Sequence, residues 1–276
     1  NSRFFHNDSK QLGRSIFNKS KSSLTLINSQ FKSNDKLEKN YLNNEIFNKG
    51  MINVLKEEND YFKKYIKLGF LHCFSNDIKS PKYLEKLIIN QNEISLDSDI
   101  EFEEEYTWIT IEKDNLIIDG NGHTIDALSK NSIFKISSSN VTFKNINFKN
   151  SNSKHGALLV TEEGSLNLIN CNFENNMAER GGAIDNYGII TVNNCNFENN
   201  ISKTDFGGAI NNNGEITLTK SNFKNNLSRN FGGAVNNANI IKLEGCHFES
   251  NIANYGAAIN NISSGLSNII KCSFID

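Results

Sequence analysis

Residues 165–212 read SLNLINCNFENNMAERGGAIDNYGIITVNNCNFENNISKTDFGGAINN. The stretch says the same thing twice. CNFENN at 171–176 returns at 195–200, and GGAI at 181–184 returns at 207–210. Working outward, Phe148, Phe173, Phe197, Phe223, Phe248 and Phe274 lie 25, 24, 26, 25 and 26 residues apart. Two residues before them stand Ile146, Cys171, Cys195, Ser221, Cys246 and Cys272. Three residues after the first five stand Ser151, Asn176, Asn200, Asn226 and Asn251. Gly-Gly-Ala-Ile/Val recurs at 181–184, 207–210 and 232–235, and returns as Gly-Ala-Ala-Ile at 256–259.

Apolar and polar residues alternate within each unit, which is the period of a strand. Leu166/Leu168 and Cys171/Phe173 have opposite parity, so a bend separates two short strands. A unit of this length cannot bury a core alone, but stacked units can. Parallel neighbours lie ~4.8 Å apart, so each unit becomes one coil. The fold expected is all-β: a right-handed parallel β-helix of about 25 residues per coil. Its hand is taken from the general preference of parallel crossovers. Asn176, Asn200, Asn226 and Asn251 then form an inward ladder at one bend. Asn186, Asn212, Asn237 and Asn261 form a second ladder after the Gly-Gly-Ala turn.

The frame reappears at the start of the chain. Leu24, Leu26, Ser29, Phe31 and Asn34 occupy the same five slots, and 46–54 match more weakly. Glu57 and Asn59 fill the next core slots, so that coil is expected to fail. From 55 to 92 the period-2 signal gives way to two helical patterns, the second opening at Pro81. Three segments follow: 1–54 as β-helix-like coils, 55–92 as a helical insertion and N-terminal cap, and 93–276 as the main β-helix. The chain opens and closes mid-repeat, which is expected of a piece of a longer protein.

Composition agrees. The chain has 276 residues, 48 of them Asn and one Pro. Asn is a poor helix former, and Pro would delete a ladder donor in every coil. A net charge of −2 and only four Arg offer no field for nucleic acid. No apolar run is long enough to span a bilayer, so membrane insertion is not expected. No signal peptide, CxxC or zinc spacing is visible. Neither a cofactor nor a metal is expected.

GGA[ILV] with FxxN once per coil resembles the chlamydial polymorphic membrane protein repeat. The approach segment ISLDSDIEF at 94–102 and ITIEKDNLIIDGNGHTIDA at 109–127, followed by such repeats, resembles the adhesin-like proteins of methanogenic archaea. That resemblance covers 93–276 well and 4–54 weakly. It implies a pectin-lyase-like β-helix, secreted or displayed at the cell surface, that binds glycans or surface proteins of host or neighbouring cells. It carries over no catalytic residue. A monomeric, non-catalytic module is expected, with a polysaccharide lyase or hydrolase and a structural stalk as the alternatives.

The residues support binding at one place. His155, Arg180, Phe206, Phe231 and Tyr255 each precede the Gly turn of their coil and should stack along one edge. Such a row suits sugar rings or partner side chains; alternatively the rings fold under the turn and pack there. Cys171, Cys195, Cys246 and Cys272 read as buried reduced thiols. Cys171/Cys195 and Cys246/Cys272 are also close enough to bridge. His6, His72, His123, His155 and His247 show no carboxylate frame in the sequence, and His123 reads as a turn residue. Hydrolases need converging acids. Asp185 is followed in register by Asn211, Asn236 and Asn260, Asp119 and Asp126 stand alone, and 101–105 read as a solvated acidic loop.

Overall fold

The alternating aliphatic pairs build the first layer. Val141/Phe143, Leu166/Leu168, Ile190/Val192, Ile216/Leu218 and Ile241/Leu243 are all buried. They lie on Val141–Lys144, Ser165–Ile169, Ile189–Asn193, Glu215–Thr219 and Ile240–Glu244, within an eight-stranded parallel sheet. The computed structural model describes residues 80–102, 107–262 and 265–276 in full, and before them the strand backbones between Arg3 and Cys73.

A second eight-stranded parallel sheet carries the Phe slot, on strands such as Asn172–Glu174 and Asn196–Glu198. Phe148, Phe173, Phe197, Phe223, Phe248 and Phe274 pair in strict register. Their rings stack at 4.7 to 5.0 Å. Each fully buried ring is worth about 1.5–3 kcal/mol of transfer free energy. A third sheet of seven strands carries the residues after the Gly turn, including Ile184–Asn186, Ile210–Asn212 and Val235–Asn237. A fourth, of four strands, holds Asn152–His155, Met177–Arg180, Ile201–Phe206 and Leu227–Ser228. The product is a parallel β-solenoid of about seven turns and about 25 residues per coil.

The bends use Asn in a way the repeat alone does not announce. Asn145, Asn170 and Asn194 precede the Phe strand with φ of 54–55°, and Asn150, Asn175, Asn199 and Asn225 follow it with φ of 54–56°. Asn tolerates the left-handed region better than other residues with a Cβ. Gly245 takes the same slot in one coil, with φ 63°. That substitution was the sequence signal for a left-handed bend.

The chain folds as two units, Asn1–Ile78 and Lys79–Asp276. In the first, Arg3–Phe5 pairs with Gln30–Lys32, setting Phe4 opposite Phe31. Ile16–Asn18, Ile46–Asn48 and Ile66–Lys67 form one stack, and Ser23–Ile27, Met51–Leu55 and Phe70–Cys73 another. Of the helical pattern expected from Leu55 through Leu68, Leu55 and Ile66 are on strands instead, and Tyr61, Phe62, Tyr65 and Leu68 lie outside the described residues. At Leu55 and Ile66 pairing to a neighbouring strand overrides the local helical spacing. Glu57 and Asn59 lie outside the described residues.

Among the described residues the helix is confined to Pro81–Asn90, here α1. Ser80 caps it by accepting from the Tyr83 N–H, and Pro81 fills its first turn. At its far end Lys113 Nζ donates to the carbonyls of Ile88, Ile89 and Gln91. Tyr83, Leu84, Leu87 and Ile88 are buried, and α1 packs on Ile100–Glu101 and Ile109–Ile111 in the first coil of the second unit. It caps that end. No helix among the described residues is long and apolar enough to cross a membrane.

Candidate edge site beside the Gly-Gly turn

The Gly-Gly-Ala turn has a separate reason for each Gly. Gly181, Gly207 and Gly232 have φ of 54°, 63° and 65°. A Cβ there would lie within 2.2 Å of the carbonyl oxygen three residues on. The second Gly is fixed by the next coil. A Cβ on Gly182, Gly208 or Gly233 would meet the oxygen of Gly208, Gly233 or Ala257 at 2.5, 2.0 and 2.1 Å. The tight turn sets the residue before it beside the residue after it.

The residues before the turn form one column: His155 pairs with Arg180, Arg180 with Phe206, Phe206 with Phe231 and Phe231 with Tyr255. Phe206 and Phe231 are half-buried, and Tyr255 is 62% exposed. Their centroids are 5.8 and 5.3 Å apart with tilts of 16° and 21°. This stacking is looser than in the interior Phe column, so the rings overlap less and leave more of their faces open. The row neither folds wholly under the turn nor stands wholly free.

Beneath its first members lies a cluster that the sequence did not disclose. Asp185 is fully buried, although its side chain projects to the opposite face from Ile184. Its Oδ2 is 2.8 Å from His155 Nδ1 and 4.0 Å from Arg180 Nε. Its Oδ1 accepts from Asn211 Nδ2 at 2.9 Å. Tyr187 lies beside it, and burial, then the Asp185 charge, push the phenol above its ordinary range. The sequence frames no His with a carboxylate, and the fold supplies His155 with one. Thirty residues separate His155 from Asp185 in sequence, and only stacking brings them together. His123 likewise meets Asp99 at 3.2 Å.

The four Asn of the first inner column bond in series. Asn176 Nδ2 donates to Asn200 Oδ1, Asn200 to Asn226 and Asn226 to Asn251, at 2.9–3.0 Å. Each also donates to the carbonyl of the preceding Phe slot, from Phe148 to Phe223. The column Asn186, Asn212, Asn237 and Asn261 is joined the same way at 2.7 Å per step. Asp119 and Asp126 end other ladders, accepting from Asn145 and Asn150. Glu103, Glu104 and Glu105 lie outside the described residues.

Cys171, Cys195 and Cys246 are buried free thiols, and Cys272 is partly exposed. The bond to Cys171, then burial, push the Cys195 thiol far up, and burial pushes Cys246 up to about 11. Among the described residues no group of three His, Cys, Asp or Glu could hold a metal ion. No family model, curated protein or solved structure matches the chain.

Proposed function

We propose that the chain is a non-catalytic binding module, displayed outside the cell, that offers one edge of its solenoid to glycans or to surface proteins of other cells. The observation that carries this reading is the column His155–Arg180–Phe206–Phe231–Tyr255, held in register along that edge. Partly open rings beside a guanidinium and an imidazole suit sugar rings or partner side chains. The rigid ladder fixes these groups before any ligand arrives, which lowers the ordering cost of binding. The resemblance to adhesin-like repeats points the same way. The test is a glycan and cell-binding screen on the wild type and on the triple variant Phe206→Ser, Phe231→Ser, Tyr255→Ser. Lost binding with unchanged thermal unfolding is expected. A wild type that binds nothing, with a variant that melts early, would leave the row a packing feature and the chain a stalk.

A polysaccharide-acting enzyme is the second reading, and one observation favours it: His155 Nδ1 on the buried Asp185 beside Tyr187. It requires release of new chain ends from a polysaccharide, lost in His155→Ala.

A further inference from the structure

The cluster at the first end of the row has a definite hydrogen-bonding sense. Asp185 is fully buried and, as a carboxylate, can only accept. It already accepts from Asn211, which in turn accepts from Asn236, and Asn236 from Asn260, at 2.8–3.0 Å. The three amides all point their N–H groups toward Asp185, and aligned amides reinforce one another. Facing an acceptor-only group at 2.8 Å, His155 Nδ1 must carry the proton. In the neutral imidazole, Nε2 is then an acceptor. The His155 side chain is 18% exposed and that of Arg180, which can only donate, is 35% exposed. Phe206 follows in the same column, one coil on.

We propose that this corner is a subsite for a neutral, hydroxyl-rich sugar, and that it discriminates against carboxylated sugars. A sugar hydroxyl both donates and accepts. It would donate to His155 Nε2 and accept from Arg180, while the next sugar ring of the chain lies against Phe206. A carboxylate only accepts. It would set its lone pairs against the Nε2 lone pair, over the buried charge of Asp185. The inference rests on the glycan-binding reading above and names the sugar class for that edge.

The experiment compares paired oligosaccharides of equal length and linkage, a cello-oligosaccharide and its glucuronic-acid counterpart, together with a set of other neutral and carboxylated pairs. Titration calorimetry reads the affinities. For pairs that bind, the wild type should favour the neutral member by at least about tenfold, the size of one unmade hydrogen bond to a charged or buried partner. The key variant is Asp185→Asn. Asn fits the site, because Asn211, Asn236 and Asn260 fill that column in later coils. Its amide can donate to His155 Nδ1, so the imidazole proton moves to Nε2 and the exposed nitrogen becomes a donor. The preference for neutral sugar should fall to near one, with the unfolding midpoint close to that of the wild type.

Nitrogen-15 NMR of the imidazole gives a readout without ligand: protonated Nδ1 in the wild type and protonated Nε2 in Asp185→Asn. A wild-type His155 protonated at Nε2 overturns the proposal. So does tighter binding of carboxylated members, or a neutral preference that survives Asp185→Asn. In those cases binding to the edge still stands. Binding to no member of any pair overturns this inference and, with it, glycan recognition by the edge.

Discussion

Gly208 offers the sharpest test of how the coils are held. Gly208→Ala adds one methyl group. That Cβ would lie 2.0 Å from Gly233 O and 2.7 Å from the Leu227 backbone, all backbone atoms of the next coil. No side chain can rotate away, so two coils must separate locally. The Gly208 N–H to Gly232 O bond at 2.9 Å and the Ala209 N–H to Ala234 O bond at 2.9 Å span the same gap. Overpacking in a well-filled interior costs about 1–3 kcal/mol, occasionally more, and here it also strains ladder bonds. The entropic benefit of Gly→Ala in the unfolded chain, about 0.4–1 kcal/mol, opposes this and is smaller. A net loss of about 2 kcal/mol is expected, which for a domain of this size lowers Tm by roughly 4–8 °C.

The chain supplies its own control. Ala257 occupies the same slot in the coil of Ile259–Asn261, is exposed, and has no later carbonyl over it among the described residues. Ala257→Gly should therefore change stability by no more than about 1 kcal/mol, in the direction set by chain entropy alone. Urea unfolding followed by circular dichroism reads both variants. If Gly208→Ala unfolds at the wild-type midpoint, close approach of the coils does not explain the second Gly, and the reasoning fails.

Other consequences are simpler. Asn200→Ala removes a donor to Phe173 O and Asn226 Oδ1 and an acceptor for Asn176, all buried; it should cost at least about 3 kcal/mol in denaturant unfolding. Ser151 occupies the slot one coil before Asn176, and its hydroxyl is buried without a partner; Ser151→Asn should extend the ladder and raise the unfolding free energy by about 1 kcal/mol in urea unfolding. Native labelling with iodoacetamide at pH 8, read by peptide mass mapping, should modify Cys272 well before Cys246, whose thiol is pushed up to about 11 by burial. Burial pulls the Asp119 carboxyl upward, but Asn145, Asn121 and Lys144 together hold it below its usual value. Its stabilising contribution is full above the ordinary carboxylate range near about 4 and is lost as pH falls through its own lower pKa. Asp119→Asn should flatten the loss of stability with acid in that window, and an unchanged slope would remove Asp119 from the account.

Much of this architecture was legible because a coil repeats its constraints. The Phe slot, the two inner Asn columns and the edge row follow from spacing alone, since equal spacing in a solenoid means vertical neighbours. Two things were not legible. The strands Ile66–Lys67 and Phe70–Cys73 have too short an alternation to oppose a helical spacing of apolar residues, and only pairing with the preceding coils decides them. His155 and Asp185 were each visible, but in different slots of different coils. Their meeting depends on how the Gly turn folds one slot against another. Periodicity fixes which residues share a column, not which columns touch.

The outer ladders show why Asp appears where it does. Asn194 donates to Asn170, Asn170 to Asn145 and Asn145 to Asp119. Asn254 donates to Asn230 and Asn230 to Asp205. Asn150 donates to Asp126, and the ladder from Asn260 ends on Asp185. Each of these four runs toward the earlier coil and stops at a carboxylate, whereas the ladder from Asn222 through Asn196 and Asn172 to Asn147 stops on the Gly122 carbonyl. An amide must both donate and accept, so a ladder ending in Asn leaves one NH₂ in need of an acceptor. An acceptor-only residue ends it cleanly. The aspartates that look like candidate catalytic acids are thus engaged as ladder heads, each in its own column. Asp185 differs in that its second oxygen faces an imidazole. Replacing it with Asn passes the unmet donor on to His155, which is why that single change reaches the edge of the solenoid.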